Sequence, residues 1–290
     1  MWPFFGIILV LAYLQKKVRL YFVLKRPKNP HKIMEGAEPY LSRKSKKVGV
    51  LLLHGFTSTP NEVKPLSEFL SKKHITVYAP LIAGHGTHVE DLARTRTSDW
   101  EKSTKDAYDK ISRMVDNVYV IGSSFGGNLA FRIAKNKKKV AGLVTMGTPI
   151  FFRRDRTFKV VLALTSMFMN FVKKRYHIER DRELVKKKVH YKEFPLNCLG
   201  SMSRFMRHSV KDLPGIKVPA LIMQSETDAL LNEQNAYSIY NKLGSKDKKI
   251  FFVPDSYHVF CLDKNKGKAF REIFKFIKET SQKNGIQLRA

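Results

Sequence analysis

Six short apolar runs decide what this chain can fold into. Val48–His54, Ile75–Ala79, Val118–Gly122, Val140–Met146, Val218–Gln224 and Ile250–Val253 are β-rich and mostly lack an alternation of apolar and polar residues. Strands buried on both faces of a parallel sheet read that way. Between them, Asn61–Lys73, Asp99–Asp116, Phe125–Lys137, Asn232–Leu243 and Lys264–Thr280 carry apolar residues at helical spacing. Strands and helices that alternate with short loops predict an α/β protein, a mostly parallel sheet with helices on both faces. At 290 residues and 43% hydrophobic, the chain can bury a sizeable core, and its composition excludes disorder. The rhythm breaks between Pro149 and Pro219, which holds no buried-strand pattern. Within that stretch Thr157–Val172 is apolar around most of its circumference.

Gly122-Ser123-Ser124-Phe125-Gly126 falls between the run Val118–Ile121 and the helical stretch from Phe125. A G-x-S-x-G turn in that strand–turn–helix context is a nucleophile elbow, with Ser124 as the nucleophile and Ser123 at the variable position. The turn strains the serine's backbone, and a Cβ at either flanking glycine would strike neighbouring chain. A serine hydroxyl needs a base, and the base needs a carboxylate to orient it. With the chain order serine, acid, histidine, Asp228 follows the run ending at Gln224, and His258 follows the run ending at Val253. Both then stand at the carboxyl edge of the sheet, where α/β sites form. Glu226 and Asp255 are rival acids. His54 and His85 are rival bases but precede the serine. A tetrahedral intermediate needs two N–H donors. The backbone N–H of Phe125 supplies one, and that of Phe56, aimed by a tight turn at Gly55, supplies the other. His54 reads as a structural hydrogen-bonder on that loop.

These motifs resemble a known family. His54-Gly55-Phe56, Gly84-His85-Gly86-Thr87-His88 with Glu90-Asp91, Arg94-Thr95 and Asp99-Trp100, then the elbow, Asp228 and His258, are similar to bacterial monoacylglycerol lipases and their carboxylesterase relatives in the α/β-hydrolase superfamily. The resemblance runs from about Val48 to Ile277, is dense over Val48–Gly127 and is weak from Phe151 to Lys217. It implies the α/β-hydrolase fold with a helical cap inserted over 151–217, flanked by hydrolase-core segments 39–150 and 218–290. It also implies Ser124, Asp228 and His258 as catalytic residues and the Phe56 and Phe125 N–H groups as the oxyanion hole. The activity implied is hydrolysis of carboxylic esters of monoacylglycerol-like or short acyl substrates, with no cofactor and no metal. Phe125 departs from the family pattern, in which a smaller or unbranched residue such as Met is usual. Peptidase, thioesterase or acyltransferase chemistry on the same triad is the alternative, as is a catalytically silent lipid-binding protein.

The net charge of +29 invites a nucleic-acid reading, but its distribution argues otherwise. Residues 1–47 carry 11 Lys/Arg against 2 Asp/Glu, and residues 151–218 carry 17 against 6. Basic residues interleaved with exposed aromatics, or a nucleic-acid-reading module, are not found, so no nucleic-acid partner is expected. Anionic lipid headgroups suit polybasic segments better. Met1–Leu14 is uncharged, and seven cations lie between Lys16 and Lys32. The segment 1–38 is therefore read as a membrane anchor and basic linker, with Trp2 and Tyr13 at the interface and the catalytic domain on the cytoplasmic side. A buried N-terminal helix is the alternative. In the insertion, Phe158, Val161, Leu162, Leu164, Met167, Phe168, Met169, Phe171 and Val172 form an apolar roof or a lipid-facing surface. Arg153, Arg154, Arg156, Lys173, Lys174 and Arg175 flank it. Packing of these apolar residues against the sheet, with solvated ends, competes with that reading. Two cysteines, Cys198 and Cys261, support neither a disulfide framework nor a metal site.

Overall fold

The computed structural model describes residues 13–15, 17–18, 21, 31–152, 155–174, 183, 185–186 and 188–288. The proposed anchor run Met1–Leu14, apart from Tyr13 and Leu14, lies outside the described residues. So do most of the cations after it, as well as Arg153, Arg154, Arg175 and the side chains of Arg156 and Phe158. Among the described residues, no helix is long and apolar enough to cross a membrane.

The strands are β1 (Tyr40–Ser42), β2 (Val48–Leu53), β3 (Thr76–Ala79), β4 (Asn117–Ser123), β5 (Val140–Met146), β6 (Phe171–Lys173), β7 (Glu193–Pro195), β8 (Ala220–Ser225) and β9 (Lys248–Val253). The helices are α1 (Lys64–Lys72), α2 (Val89–Ala93), α3 (Thr97–Ser112), α4 (Phe125–Asn136), α5 (Asp155–Phe168), α6 (Leu196–Ser209), α7 (Gln234–Lys242) and α8 (Lys266–Lys283). Seven strands form one sheet in the order β1-β3-β2-β4-β5-β8-β9. Only β1 runs antiparallel to its neighbour, pairing Tyr40 with Ala79 and Ser42 with Val77. The fold is that of an α/β-hydrolase.

The missing alternation in the apolar runs has a direct cause. Along β4, Val118 and Val120 belong to one core, and Tyr119 and Ile121 belong to the other. The first core fills the space under α3, α4 and α6, with Trp100, Leu129, Phe131 and Phe205. The second lies under α1 and α8, with Leu66, Leu70, Ile273 and Phe276. Both faces of the central strands are thus covered, and a polar residue on either would lose its water.

The insertion has two characters. Helix α5 leaves Val160, Val161, Leu164, Met167 and Phe168 exposed, and Met169 beyond it is exposed as well. Helix α6 is core: Leu196, Cys198, Leu199, Met202 and Phe205 belong to the first apolar cluster, and Met206 is buried as well. Between them, β6 and β7 pair antiparallel, apart from the main sheet.

Candidate active site

Because the strands around the centre run parallel, the loops that leave their carboxyl ends gather at one edge. β4 delivers Ser124 and β2 the loop His54-Gly55-Phe56, and the register places Leu53 opposite Gly122. β8 and β9, paired through Ser225 and Val253, deliver Asp228 and His258.

Ser124 stands at φ 51°, ψ −123°, between the end of β4 and the first turn of α4. A non-glycine residue there costs about 1–3 kcal/mol and persists only where the surroundings enforce it. They do so through sterics and hydrogen bonds. The Ser124 N–H donates to the Met146 carbonyl at 2.8 Å, and its carbonyl accepts from the Gly127 N–H at 2.9 Å. A Cβ on Gly122 would lie 2.3 Å from the Gly127 nitrogen, and one on Gly126 would lie 2.3 Å from the Leu53 oxygen. Only glycine at both positions lets helix, β4 and β2 approach this closely.

Ser124 Oγ and His258 Nε2 are 3.0 Å apart, and His258 Nδ1 and Asp228 Oδ2 are 2.7 Å apart. The carboxylate fixes the tautomer: Nδ1 carries the proton it donates to Asp228, which leaves Nε2 free to accept from the serine. Asp228 is itself held. Its Oδ1 accepts the N–H groups of Leu230 (2.8 Å) and Leu231 (3.0 Å), and its Oδ2 also accepts from Gln224 Nε2 at 3.0 Å. Burial opposes the Asp228 carboxylate. The charge of His258, its hydrogen bond and the two N–H donors outweigh burial and leave the carboxyl below 3.8. Burial likewise opposes a charged His258, but Asp228, by charge and hydrogen bond, carries it above 6.5.

The rival residues stand elsewhere. Asp255 is exposed and pairs with Lys264 at 2.5 Å, and Glu226 is exposed. His54 donates from Nδ1 to the Gly55 carbonyl (3.0 Å) and accepts the Ile82 N–H at Nε2 (3.2 Å), and burial drops its pKa to about 4. His85 is buried with its Nδ1 on the Ala83 carbonyl. Gln224 and Asp263 were not among the residues expected at the site. Asp263 accepts from the Ser256 hydroxyl (3.2 Å) and the Tyr257 N–H (2.9 Å), which shapes the loop that presents His258. A glutamine ending the apolar run Val218–Gln224 was the one available sign of the first.

Gly55 brings the β2 loop against the serine: a Cβ there would meet Ser124 Cβ at 3.3 Å. The rings of the two residues expected to supply the oxyanion N–H groups, Phe56 and Phe125, meet edge to face at 5.7 Å. Trp100 packs on both, at 5.8 and 5.4 Å, and Phe194 stacks on Phe56 at 6.4 Å. A hydroxyl, an imidazole and a carboxylate in one chain of hydrogen bonds can transfer an acyl group to the serine. Among the described residues, no group of His, Cys, Asp and Glu is placed to hold a metal ion.

Comparison with known proteins points the same way. The profile of the family described as serine aminopeptidase, S33, matches residues 44–265. The thermostable monoacylglycerol lipase of a Bacillus species is 32% identical over 234 residues, 80% of this chain and 90% of that protein. The carboxylesterase of Bacillus subtilis is 25% identical over 231 residues, 79% of this chain and 92% of that protein. A solved structure of a metagenome-derived lipolytic enzyme superposes with a TM-score of 0.76 at 27% identity, covering 86% of this chain and all of that one.

Proposed function

Since the chain belongs to the serine aminopeptidase family S33 of the α/β-hydrolases, we propose that it hydrolyses carboxylic esters of the monoacylglycerol type through an acyl-enzyme on Ser124. The observation that carries this reading is the unbroken relay from Ser124 through His258 to Asp228, with the serine held in strained geometry. As Ser124 Oγ attacks the ester carbonyl, His258 Nε2 takes the hydroxyl proton and Asp228 stabilises the imidazolium. The N–H groups of Phe56 and Phe125 receive the charge that develops on the carbonyl oxygen. When the intermediate collapses, the bond between acyl carbon and alcohol oxygen breaks, and His258 returns the proton to the departing alcohol. Water then repeats the sequence and frees the acid.

The family description names a peptidase, whereas both curated relatives above are named for ester hydrolysis. Aminopeptidase work needs a carboxylate to bind the substrate's free ammonium group. The carboxylate beside the β2 loop, that of Glu62, is buried and pairs with Lys188. The half-buried ring of Phe56, on the loop beside the serine, instead packs on Phe194 and on the buried Phe125 and Trp100, an apolar setting that suits an acyl chain. A fluorophosphonate probe should label Ser124, and Ser124→Ala should abolish both labelling and hydrolysis of a short p-nitrophenyl ester. Across a monoacylglycerol, a diacylglycerol, an acyl-CoA and an aminoacyl amide, the monoacylglycerol should give the highest kcat/KM. Preference for the amide would replace this reading with the peptidase one.

The enzyme is proposed to work at a membrane surface, with residues 1–38 as its anchor and the catalytic domain on the cytoplasmic side. The uncharged N-terminal run followed by cations supports this, as does the exposed apolar face of α5.

A further inference from the structure

Glu62 stands just before helix α1 and is 1% exposed, although it carries a carboxylate. Its carboxylate makes an ion pair with Lys188 Nζ from the insertion, accepts the Gly55 N–H at 3.1 Å on Oε1 and is hydrogen-bonded by the Ser123 hydroxyl. Burial opposes its charge. Lys188 and the hydrogen bonds outweigh burial, and the carboxyl ionises at about 2. Gly55 therefore sits between two groups. A Cβ on it would be 3.2 Å from Glu62 Oε1 and 3.3 Å from Ser124 Cβ.

The loop that follows needs such support. Thr57 stands at φ 61°, a left-handed conformation that a β-branched residue takes up at a cost. The stretch 188–191 runs along this loop as a strap. The Tyr191 N–H donates to the Thr57 carbonyl (3.0 Å), the Thr59 hydroxyl to the Val189 carbonyl (2.7 Å), and the Val189 N–H to Asn61 Oδ1 (3.1 Å). Lys174 Nζ donates to the Thr57 hydroxyl at 2.6 Å. These contacts hold the far side of the turn. On the near side, the bond from the Gly55 N–H to Glu62 anchors the His54–Gly55 peptide, which immediately precedes the Gly55–Phe56 peptide from which the Phe56 N–H projects.

We infer that Glu62, held by Lys188, is a positioning residue for the oxyanion hole: its bond to the Gly55 N–H aims the Phe56 N–H at the reacting carbonyl oxygen. The inference rests on the ester-hydrolase reading of the same site. An interaction of this kind acts when charge develops on the oxygen, so its loss lowers kcat and leaves KM in place. Complete removal of an oxyanion donor costs about 10²–10³ in kcat, and misaiming one donor is expected to cost about tenfold or more.

Two charge-free double variants separate the hydrogen bonding of residue 62 from its charge. Glu62→Gln/Lys188→Met keeps an oxygen for the Gly55 N–H, whereas Glu62→Met/Lys188→Met removes it. Replacing both partners spares the fold an uncompensated buried charge. On a short p-nitrophenyl ester, the Met/Met protein should show a kcat at least tenfold below that of the Gln/Met protein, with KM within twofold. A trifluoromethyl ketone, which forms a tetrahedral adduct on Ser124, should lose affinity by the same factor. A folded Met/Met protein with kcat within twofold of the Gln/Met protein overturns the inference. So does a fall in kcat without the matching loss of ketone affinity, which places the residue's effect elsewhere. If the Met/Met protein does not fold, Glu62→Ala/Lys188→Met carries the same expectation. Failure of the ester-hydrolase reading is visible separately, as a wild-type protein that neither cleaves the ester nor takes up a fluorophosphonate.

Discussion

Adding one methyl group at Gly126 tests how tightly the elbow is built. A Cβ at this position would lie 2.3 Å from the Leu53 oxygen, 2.7 Å from its carbonyl carbon and 2.8 Å from the His54 oxygen. All three are backbone atoms, so no side chain can swing aside, and about 1 Å of separation must come from moving whole segments. One of those segments is the end of β2 leading into Gly55 and Phe56, and the other is the start of α4 carrying Phe125. Both N–H donors assigned to the oxyanion hole therefore ride on the pieces that must part. Overpacking of this kind costs about 1–3 kcal/mol, which lowers Tm by roughly 2–10 °C in a domain of this size. A misplacement near 1 Å costs about 10²-fold in rate. Gly126→Ala should therefore fold, melt a few degrees lower by scanning fluorimetry, and hydrolyse a p-nitrophenyl ester with kcat reduced about 10²-fold. Gly267→Ala is the matched control. Its Cβ would meet only Arg271 Nη1, at 3.4 Å, so activity should be unchanged and stability equal or slightly higher. A folded Gly126→Ala protein with kcat within threefold of wild type would refute the idea that close backbone approach sets the donor geometry.

Two further outcomes follow from the charges. The wild-type acid limb of kcat/KM should lie above pH 6.5, because His258 must be neutral to accept a proton and Asp228 raises its pKa. In Asp228→Asn the raising charge is gone and burial remains, so a pH–rate profile should show the limb at lower pH and the plateau down by about 10³-fold or more; an unmoved limb would contradict the assignment. Full-length protein should stay in the membrane pellet through a 1 M salt wash, while a chain beginning near Pro39 should be released. The Debye length there is about 3 Å, which weakens cationic contacts and leaves apolar insertion intact. Full-length protein in the soluble fraction at low salt would remove the anchor from the proposal.

What the sequence discloses depends on whether a residue's partners are close along the chain. Val140–Met146 reads as a strand buried on both faces because seven consecutive buried residues need no partner to be recognised. The elbow is equally plain, since its glycines, its serine and its flanks fall within a few positions. Tyr40–Ser42 is hidden: two half-covered residues flanking the exposed Leu41 at the sheet edge become a strand only by pairing with β3. Glu62 was hidden for the same reason over a longer distance. Its burial depends on Lys188, which lies 126 residues later in the least legible part of the chain. The insertion reads as a helical cap whose apolar residues either form a roof or lipid-facing surface or pack against the sheet. In the structure α5 leaves an apolar face exposed whereas α6 fills the core beside α4, a division that helical periodicity cannot express.

The place of β9 bears on the order in which the molecule loses its parts. It is the last strand of the sheet, bound only to β8, and five of its six residues are only partly buried. Segments with few covered contacts open at lower free energy than the centre of a domain, so the outer margin loosens before the middle does. The loop after β9 carries His258, whereas Ser124 follows the central strand β4. Partial opening at that margin would therefore separate His258 from Ser124 while the bulk of the protein remained folded. Heat or denaturant would silence such a molecule before unfolding it, and recovery on cooling would need only the re-docking of one strand.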